Sequence, residues 1–178
     1  MALLFQYGSN MSSARLNSEA RLRGDAKVRC VARTVEPFEL VFSVWSTNNN
    51  CAAADIVQSK AGRRLYGVVY EVPDFLVSRE TAKPHQRKSM DSIEGEGTNY
   101  VRQTIEIEDR EGSRLSAMTY VVKDRRSDIK TEMHYVQHLF DGMEEHEIPM
   151  DYRDYVAAQA VASNPFLAGP ISAGGAIK

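Results

Sequence analysis

The sequence predicts an α+β domain, with a sheet or small barrel built by the first two thirds of the chain and helices packed outside it. Three observations carry this. Alternating stretches rich in β-branched and aromatic residues follow one another as far as Val72 with no long helical pattern between them. Parallel pairing would need crossovers of a dozen or more residues, so the pairing is expected to be mainly antiparallel. The hydrophobic period then changes, with Met133, Val136, Phe140 and Met143 at helical spacing. Finally, 178 residues with 43% hydrophobic and 26% charged content suit one compact domain with a sizeable core.

In chain order, Leu3 to Tyr7 is an apolar run expected to be a buried strand. Ser12 or Ser13 can cap a helix over "SARLNSEARL", which places Gly8 to Asn10 at a strand-to-helix turn. "KVRCVARTVE" and "FELVFSVW" are strands separated by Pro37, and "CAAADIVQ" and "LYGVVYEV" continue the pattern. Pro73 opens "PDFLVSRE", a short helix with proline in its first turn. "TAKPHQRKS" is a polar, basic, solvated loop before a second short helix at "SMDSIEG". "NYVRQTIEIED" and "SRLSAMTYVV" flank "REG" as a hairpin, with Gly112 available for positive φ. "TEMHYVQHLFDGMEEH" is helical, and after Pro149 "IPMDYRDYVAAQAVAS" restarts a helix with Asp151 near its beginning. The domain is therefore set at residues 1–163, followed by "NPFLAGPISAGGAIK" at 164–178, a Gly, Ala and Pro-rich tail expected to be irregular and held at Phe166 and Leu167.

Composition narrows the function classes. A net charge of -2, with scattered Lys and Arg, gives no field to attract nucleic acid or an acidic membrane, so neither is expected as a partner. "MALLFQYGSN" lacks the basic flank and apolar length of a signal or a transmembrane helix, which predicts a cytoplasmic protein. Cys30 and Cys51 form no C-x-x-C pair and are expected to be small core residues in a reducing compartment. The G-x-S-x-G elbow, the P-loop and G-x-G-x-x-G are all missing, which leaves covalent catalysis and nucleotide binding unsupported.

Two short motifs carry chemistry. At "YGSN", backbone amides leaving a strand and entering a helix can hold a carboxylate or phosphate, Gly8 admits close approach, and Ser9 and Asn10 add donors. The tetrapeptide alone favours a plain tight turn with no ligand. In "MDSIEGEGTNY", Glu94 or Glu96 can project from the end of an element into a cleft, where desolvation would let it shuttle a proton near neutral pH. Glu94 is favoured because it follows the apolar Ile93 at the helix end. His134 and His138 in "HYVQH" share the spacing of zinc ligands, but Tyr135 stands where a zincin has its glutamate, so no metal is expected. Tyr66, Tyr70, Tyr100 and Tyr120 lie on strands and are core or barrel residues by default.

In this order, Tyr7 to Asn10, "GVVYEV", "MDSIEG", Tyr100, "MTYVV", "HYVQHLFDGM" and "IPMDYRDYV" resemble the gamma-glutamylcyclotransferases over about residues 3 to 160. The resemblance implies a small mixed, mainly antiparallel β-barrel surrounded by α-helices. It implies an intramolecular reaction that converts a gamma-glutamyl amino acid or amide to 5-oxoproline and a free amine, as in glutathione metabolism, with no cofactor or metal. Glu94 would be the general acid/base. Phe5, Gln6, Tyr7, Gly8, Ser9 and Asn10 would hold the glutamyl group, and Tyr135 falls where the family has a substrate-contacting tyrosine. The partner implied is a small gamma-glutamyl molecule, and the oligomeric state is left open to a homodimer. Met90 replaces the family's leucine, Gln6 is more polar than the usual small residue, and the short "EGEGTNY" connection carries Glu96, expected to alter the leaving-group pocket. The asparagine of "YGSN" leans toward the branch acting on gamma-glutamyl amino acids. The alternatives are a non-catalytic binding module for an acidic metabolite, or a biosynthetic enzyme removing a gamma-glutamyl group from another leaving group.

Overall fold

The structure, a computed structural model, describes residues 1–174. Its centre is a closed barrel of five strands in the order β1-β5-β2-β6-β7. β1 (Ala2–Gln6) runs antiparallel to β5 (Tyr66–Val72), which is antiparallel to β2 (Lys27–Thr34). β2 pairs with β6 (Tyr100–Asp109), and β6 returns through the expected hairpin, with Gly112 at φ 85°, into β7 (Arg114–Val122). Closure comes from a parallel contact, Leu4 opposite Met118 between β1 and β7. Leu4, Phe5, Val68, Val69, Tyr70 and Ile107 are all buried, and because neighbours on a strand alternate, both faces of the barrel wall are covered.

β3 (Phe38–Ser46) and β4 (Cys51–Gln58) leave the barrel as a separate antiparallel ribbon. Asp55, fully buried on β4, ties the ribbon back: it accepts from the Val122 amide at 2.9 Å, the Ser43 hydroxyl at 3.1 Å and Arg125 Nε at 2.6 Å. The outer layer is α4 (Met133–Glu145) and α5 (Met150–Ser163), and Tyr155 of α5 accepts from the Leu40 amide on β3 at 2.9 Å.

Several local expectations are corrected. The helix over "SARLNSEARL" shrinks to a single turn, α1 (Ser13–Leu16), capped by Ser12, and the turn before it is a 3-10 turn at Ser9–Met11. Asn17 ends it: its Oδ1 accepts from the Ala26 amide and its Nδ2 donates to the Ala26 carbonyl, both at 2.9 Å, while Leu22 folds back into the core. A side chain that bonds the backbone of a returning loop in this way competes with helix propagation. Pro73 precedes a 3-10 turn (Asp74–Leu76) rather than opening one helix, and α2 (Arg79–Ala82) starts afresh behind the Ser78 cap. The basic loop after it is tied down, with Arg87 Nη2 donating to the Leu22 carbonyl at 2.6 Å and Lys88 Nζ to that of Ala20 at 3.1 Å.

The tail is not irregular throughout: Pro165–Leu167 is a 3-10 turn and α6 covers Ala168–Gly174. Leu167 is buried, but Phe166 is 83% exposed, with the Lys130 ammonium 5.7 Å from its ring centroid, so it does not hold the tail to the core as expected. Residues 175–178 lie outside the described ones. Cys51 is buried and Cys30 half-buried, both as free thiols that burial pushes up in pKa. Among the described residues no helix is long and apolar enough to cross a membrane.

Candidate active site

β1 delivers the chain to the site. The Thr119 hydroxyl donates to the Phe5 carbonyl at 2.9 Å and the buried Tyr7 hydroxyl to the Tyr120 carbonyl at 2.6 Å, so β7 clamps β1 where it leaves the barrel. The 3-10 turn follows at once, closed by the Met11 amide on the Gly8 carbonyl at 2.9 Å. Among the described residues the N–H groups of Gly8, Ser9 and Asn10 donate to no protein acceptor. Gly8 has φ -107°, so the turn does not need glycine for its dihedrals, and a Cβ there would meet Ala54 Cβ and Tyr135 Oη at 3.6 Å, ordinary contact. The expected long-helix dipole is also missing, because α1 is a single turn.

α4 braces this turn from behind. A Cβ on Gly142 would lie 2.8 Å from Met11 Cβ and 2.9 Å from the Ser12 nitrogen, so only glycine lets the helix approach so closely.

The carboxylate arrives on α3 (Met90–Glu94), whose first turn is capped by Ser89. Asp91 is buried and engaged by the Tyr120 hydroxyl at 2.7 Å and Arg102 Nη1 at 3.2 Å, which fixes the helix against β6 and β7. Glu94 is its last residue, because Gly95 takes φ 65° and turns the chain away. Glu94 Oε1 accepts from Asn10 Nδ2 at 2.8 Å and from Gln6 Nε2 at 3.3 Å, while Oε2 accepts from no protein donor among the described residues. Burial pushes the Glu94 carboxyl above the usual carboxylate range, opposed in decreasing order by Asn10, Arg21, Gln6 and Arg15.

These groups share a cavity of about 230 Å³. Its lining contains Gln6, Tyr7, Gly8, Ser9, Asn10, Glu94 and Tyr135, which the sequence proposed separately. Tyr135, from α4, accepts from the Ala54 amide at 2.9 Å, and Tyr100, from β6, donates to the Ala54 carbonyl at 2.9 Å, so the two phenols grip one residue of β4 on both sides of its Cα. Burial raises both phenol pKa values and keeps them protonated at neutral pH.

Phe5 is not brought to the cavity; it is fully buried in the barrel. Glu96 is also absent from the lining and pairs with Arg79 at 3.3 Å, so the second acid does not shape the pocket as expected. His134 Nε2 donates to the Asn49 carbonyl at 2.7 Å, and His138 is half-buried on the same helix. Sequence reasoning missed Arg15, Arg21 and the β3–β4 turn from Trp45 to Asn49, all of which line the cavity. In "SARLNSEARL" the two arginines look like the solvated side of a helix, a signal that misleads once the helix stops at Leu16.

The closed barrel thus presents one carboxylate with an uncommitted oxygen beside a turn whose amides meet no protein acceptor among the described residues, both lining one cavity. Residues 4–138 match the family described as gamma-glutamyl cyclotransferase, AIG2-like, and the chain belongs to that family. Solved structures share the fold. One described as gamma-glutamyl cyclotransferase has a TM-score of 0.70 at 22% identity, covering 88% of this chain and 86% of its own. The uncharacterized protein loc79017 from Homo sapiens gives 0.71 at 24% identity with the same coverage of 88% and 86%. YkqA from Bacillus subtilis gives 0.70 at 18% identity, covering 91% of this chain and 55% of its own. No curated protein sequence matches the chain.

Proposed function

We propose that the protein is an enzyme that cyclises a gamma-glutamyl amino acid or amide to 5-oxoproline and releases the amine, with Glu94 as general acid/base. The observation that carries this is the state of Glu94: one oxygen is held by Asn10 and Gln6, the other is free, and the same cavity is lined by Gly8, Ser9 and Asn10 with their unpaired amides. The glutamyl group sits on that turn, where N–H groups suit a carboxylate or a developing oxyanion. Glu94 Oε2 takes a proton from the substrate's α-ammonium. The freed amine nitrogen attacks the γ-carbonyl carbon, a five-membered ring closes, and the carbonyl electron pair moves to oxygen. Collapse expels the second amine, which receives the proton from Glu94. The ring nitrogen, left with two hydrogens by the attack, then gives its second proton to Glu94, which passes it to the released amine as that becomes an ammonium; two protons move from one nitrogen to the other and none is gained or lost.

Because nucleophile and electrophile belong to one molecule, the protein's main work is to fold the glutamyl chain into an attacking geometry. Tyr135, neutral and fixed by the Ala54 amide, directs its phenol at the glutamyl moiety. The wall from Trp45 to Asn49, with Arg15, is left for the departing amine. The two free thiols and the net charge of -2 support a cytoplasmic protein with no nucleic-acid partner.

The test is to incubate the protein with gamma-glutamyl dipeptides, glutathione and gamma-glutamyl-lysine and to quantify 5-oxoproline. Release from one class above the spontaneous rate is expected, and the class identifies the leaving group. Saturable binding of these compounds with no release would instead establish the non-catalytic binding module.

A further inference from the structure

The Glu94 carboxylate is not held by Asn10 alone. Asn10 Oδ1 accepts a hydrogen bond from Arg21 Nη1, while Asn10 Nδ2 donates to Glu94 Oε1. A guanidinium carries only donors, so the asparagine atom that faces Arg21 has to be the carbonyl oxygen, and the NH2 group is thereby turned to Glu94. The ionised carboxylate, which only accepts, asks for the same orientation, so Arg21 and Glu94 fix the amide from its two ends.

The placement of Arg21 is built rather than incidental. The carbonyls on either side of it, of Ala20 and Leu22, accept from Lys88 and Arg87, and Leu22 is fully buried. Arg87 also pairs with Asp25. Lys88 leads directly through the Ser89 cap into the helix that ends at Glu94. One stretch, 87–94, thus fixes both ends of the chain of contacts: the backbone around Arg21 and the carboxylate itself.

We propose that Arg21 is a positioning residue for the general acid/base: through Asn10 it holds Glu94 Oε1 as an acceptor and leaves Oε2 to the substrate. The inference rests on the reading of Glu94 given above and adds a residue to it. The other titratable groups around Glu94 do not duplicate this role. Tyr7, just past the end of β1, and Tyr100, Tyr120 and Tyr135, from β6, β7 and α4, surround it, and all four are phenols whose pKa burial raises. Arg15 is the second cation, but its Nη2 donates to Asn49 Oδ1 at 3.2 Å on the β3–β4 turn. Arg21 acts on Glu94 both through the bonded amide and through its charge, and both favour the carboxylate.

The test is a carboxyl-carbon NMR titration of Glu94, its resonance assigned by its loss in Glu94→Gln. In Arg21→Gln the midpoint is expected to rise by about half a pH unit or more, and in Arg21→Lys to return toward the parent value. Asn10→Ala cuts the chain at its middle with the guanidinium charge intact, and is expected to raise the midpoint as well. It decides the matter if Arg21→Gln does not fold. The acidic limb of kcat/KM for 5-oxoproline release is expected to follow the midpoint. A Glu94 midpoint unmoved in Arg21→Gln, or in Asn10→Ala, overturns the proposal even if turnover falls. Failure of the parent protein to release 5-oxoproline would overturn the functional reading, while the titration still decides whether Arg21 positions Glu94.

Discussion

Asp91 and Glu94 stand three positions apart on one short helix and have opposite fates. Asp91 is buried under Tyr120 and Arg102 and serves to dock the helix, whereas Glu94 keeps one oxygen uncommitted in the cavity. The desolvated state of Glu94 has a cost in stability. A carboxyl whose folded pKa lies above its unfolded value contributes stability that is fully present below the unfolded pKa and lost as pH rises through the folded one. Glu94→Gln is therefore expected to raise Tm at mildly alkaline pH, with the gain shrinking as pH falls toward the ordinary carboxylate range; thermal unfolding across pH checks it. At this scale the sequence already exposed the turn and the glutamate, because both are local motifs. Arg21 was not legible, since its place depends on Asn17 bonding Ala26 across a loop. Phe5 was misplaced because strand alternation puts it on the opposite, buried face from its neighbour Gln6, which reaches the cavity.

Among the elements, α4 and the 3-10 turn act as a pair. The helix supplies Tyr135 to the cavity and Gly142 to the back of the turn, so a side chain at 142 would push Met11 and Ser12 toward the site. Gly142→Ala forces a backbone shift against a closely packed neighbour and is expected to cost about 1–3 kcal/mol, measured by urea unfolding. It should also weaken substrate binding through displacement of the Gly8–Asn10 amides. Helical spacing located α4 through its apolar stripe, and Pro149 with Asp151 marked the start of α5. The same reasoning overextended α1, where a side chain diverted the backbone, and left the tail irregular although α6 continues to Gly174.

At the level of the whole molecule, strand alternation revealed the strands but not which sheet each joins. Alternation reports a buried face, and β3 and β4 bury theirs against the barrel and α5 rather than within the barrel wall. The ribbon's attachment depends on Asp55, whose donors come from β3, β7 and the segment after β7. Asp55→Ala would strand the Val122 amide and the Ser43 hydroxyl in the interior. It is expected to destabilise the protein by about 2–3 kcal/mol in urea unfolding. Because Ala54 of the same strand is gripped by Tyr100 and Tyr135, loss of Asp55 should also loosen the cavity wall.

All three scales converge on one carboxylate oxygen facing one cavity. The most direct measurement is 5-oxoproline release by Glu94→Gln beside the parent protein, on the best gamma-glutamyl substrate, with substrate affinity measured separately by calorimetry. Proton transfer by a positioned carboxylate is worth roughly 100- to 10,000-fold. A fall in kcat of that order, with affinity within a few-fold and the fold intact, is the predicted result. Turnover at the parent rate in Glu94→Gln would contradict the assignment of Glu94 as general acid/base.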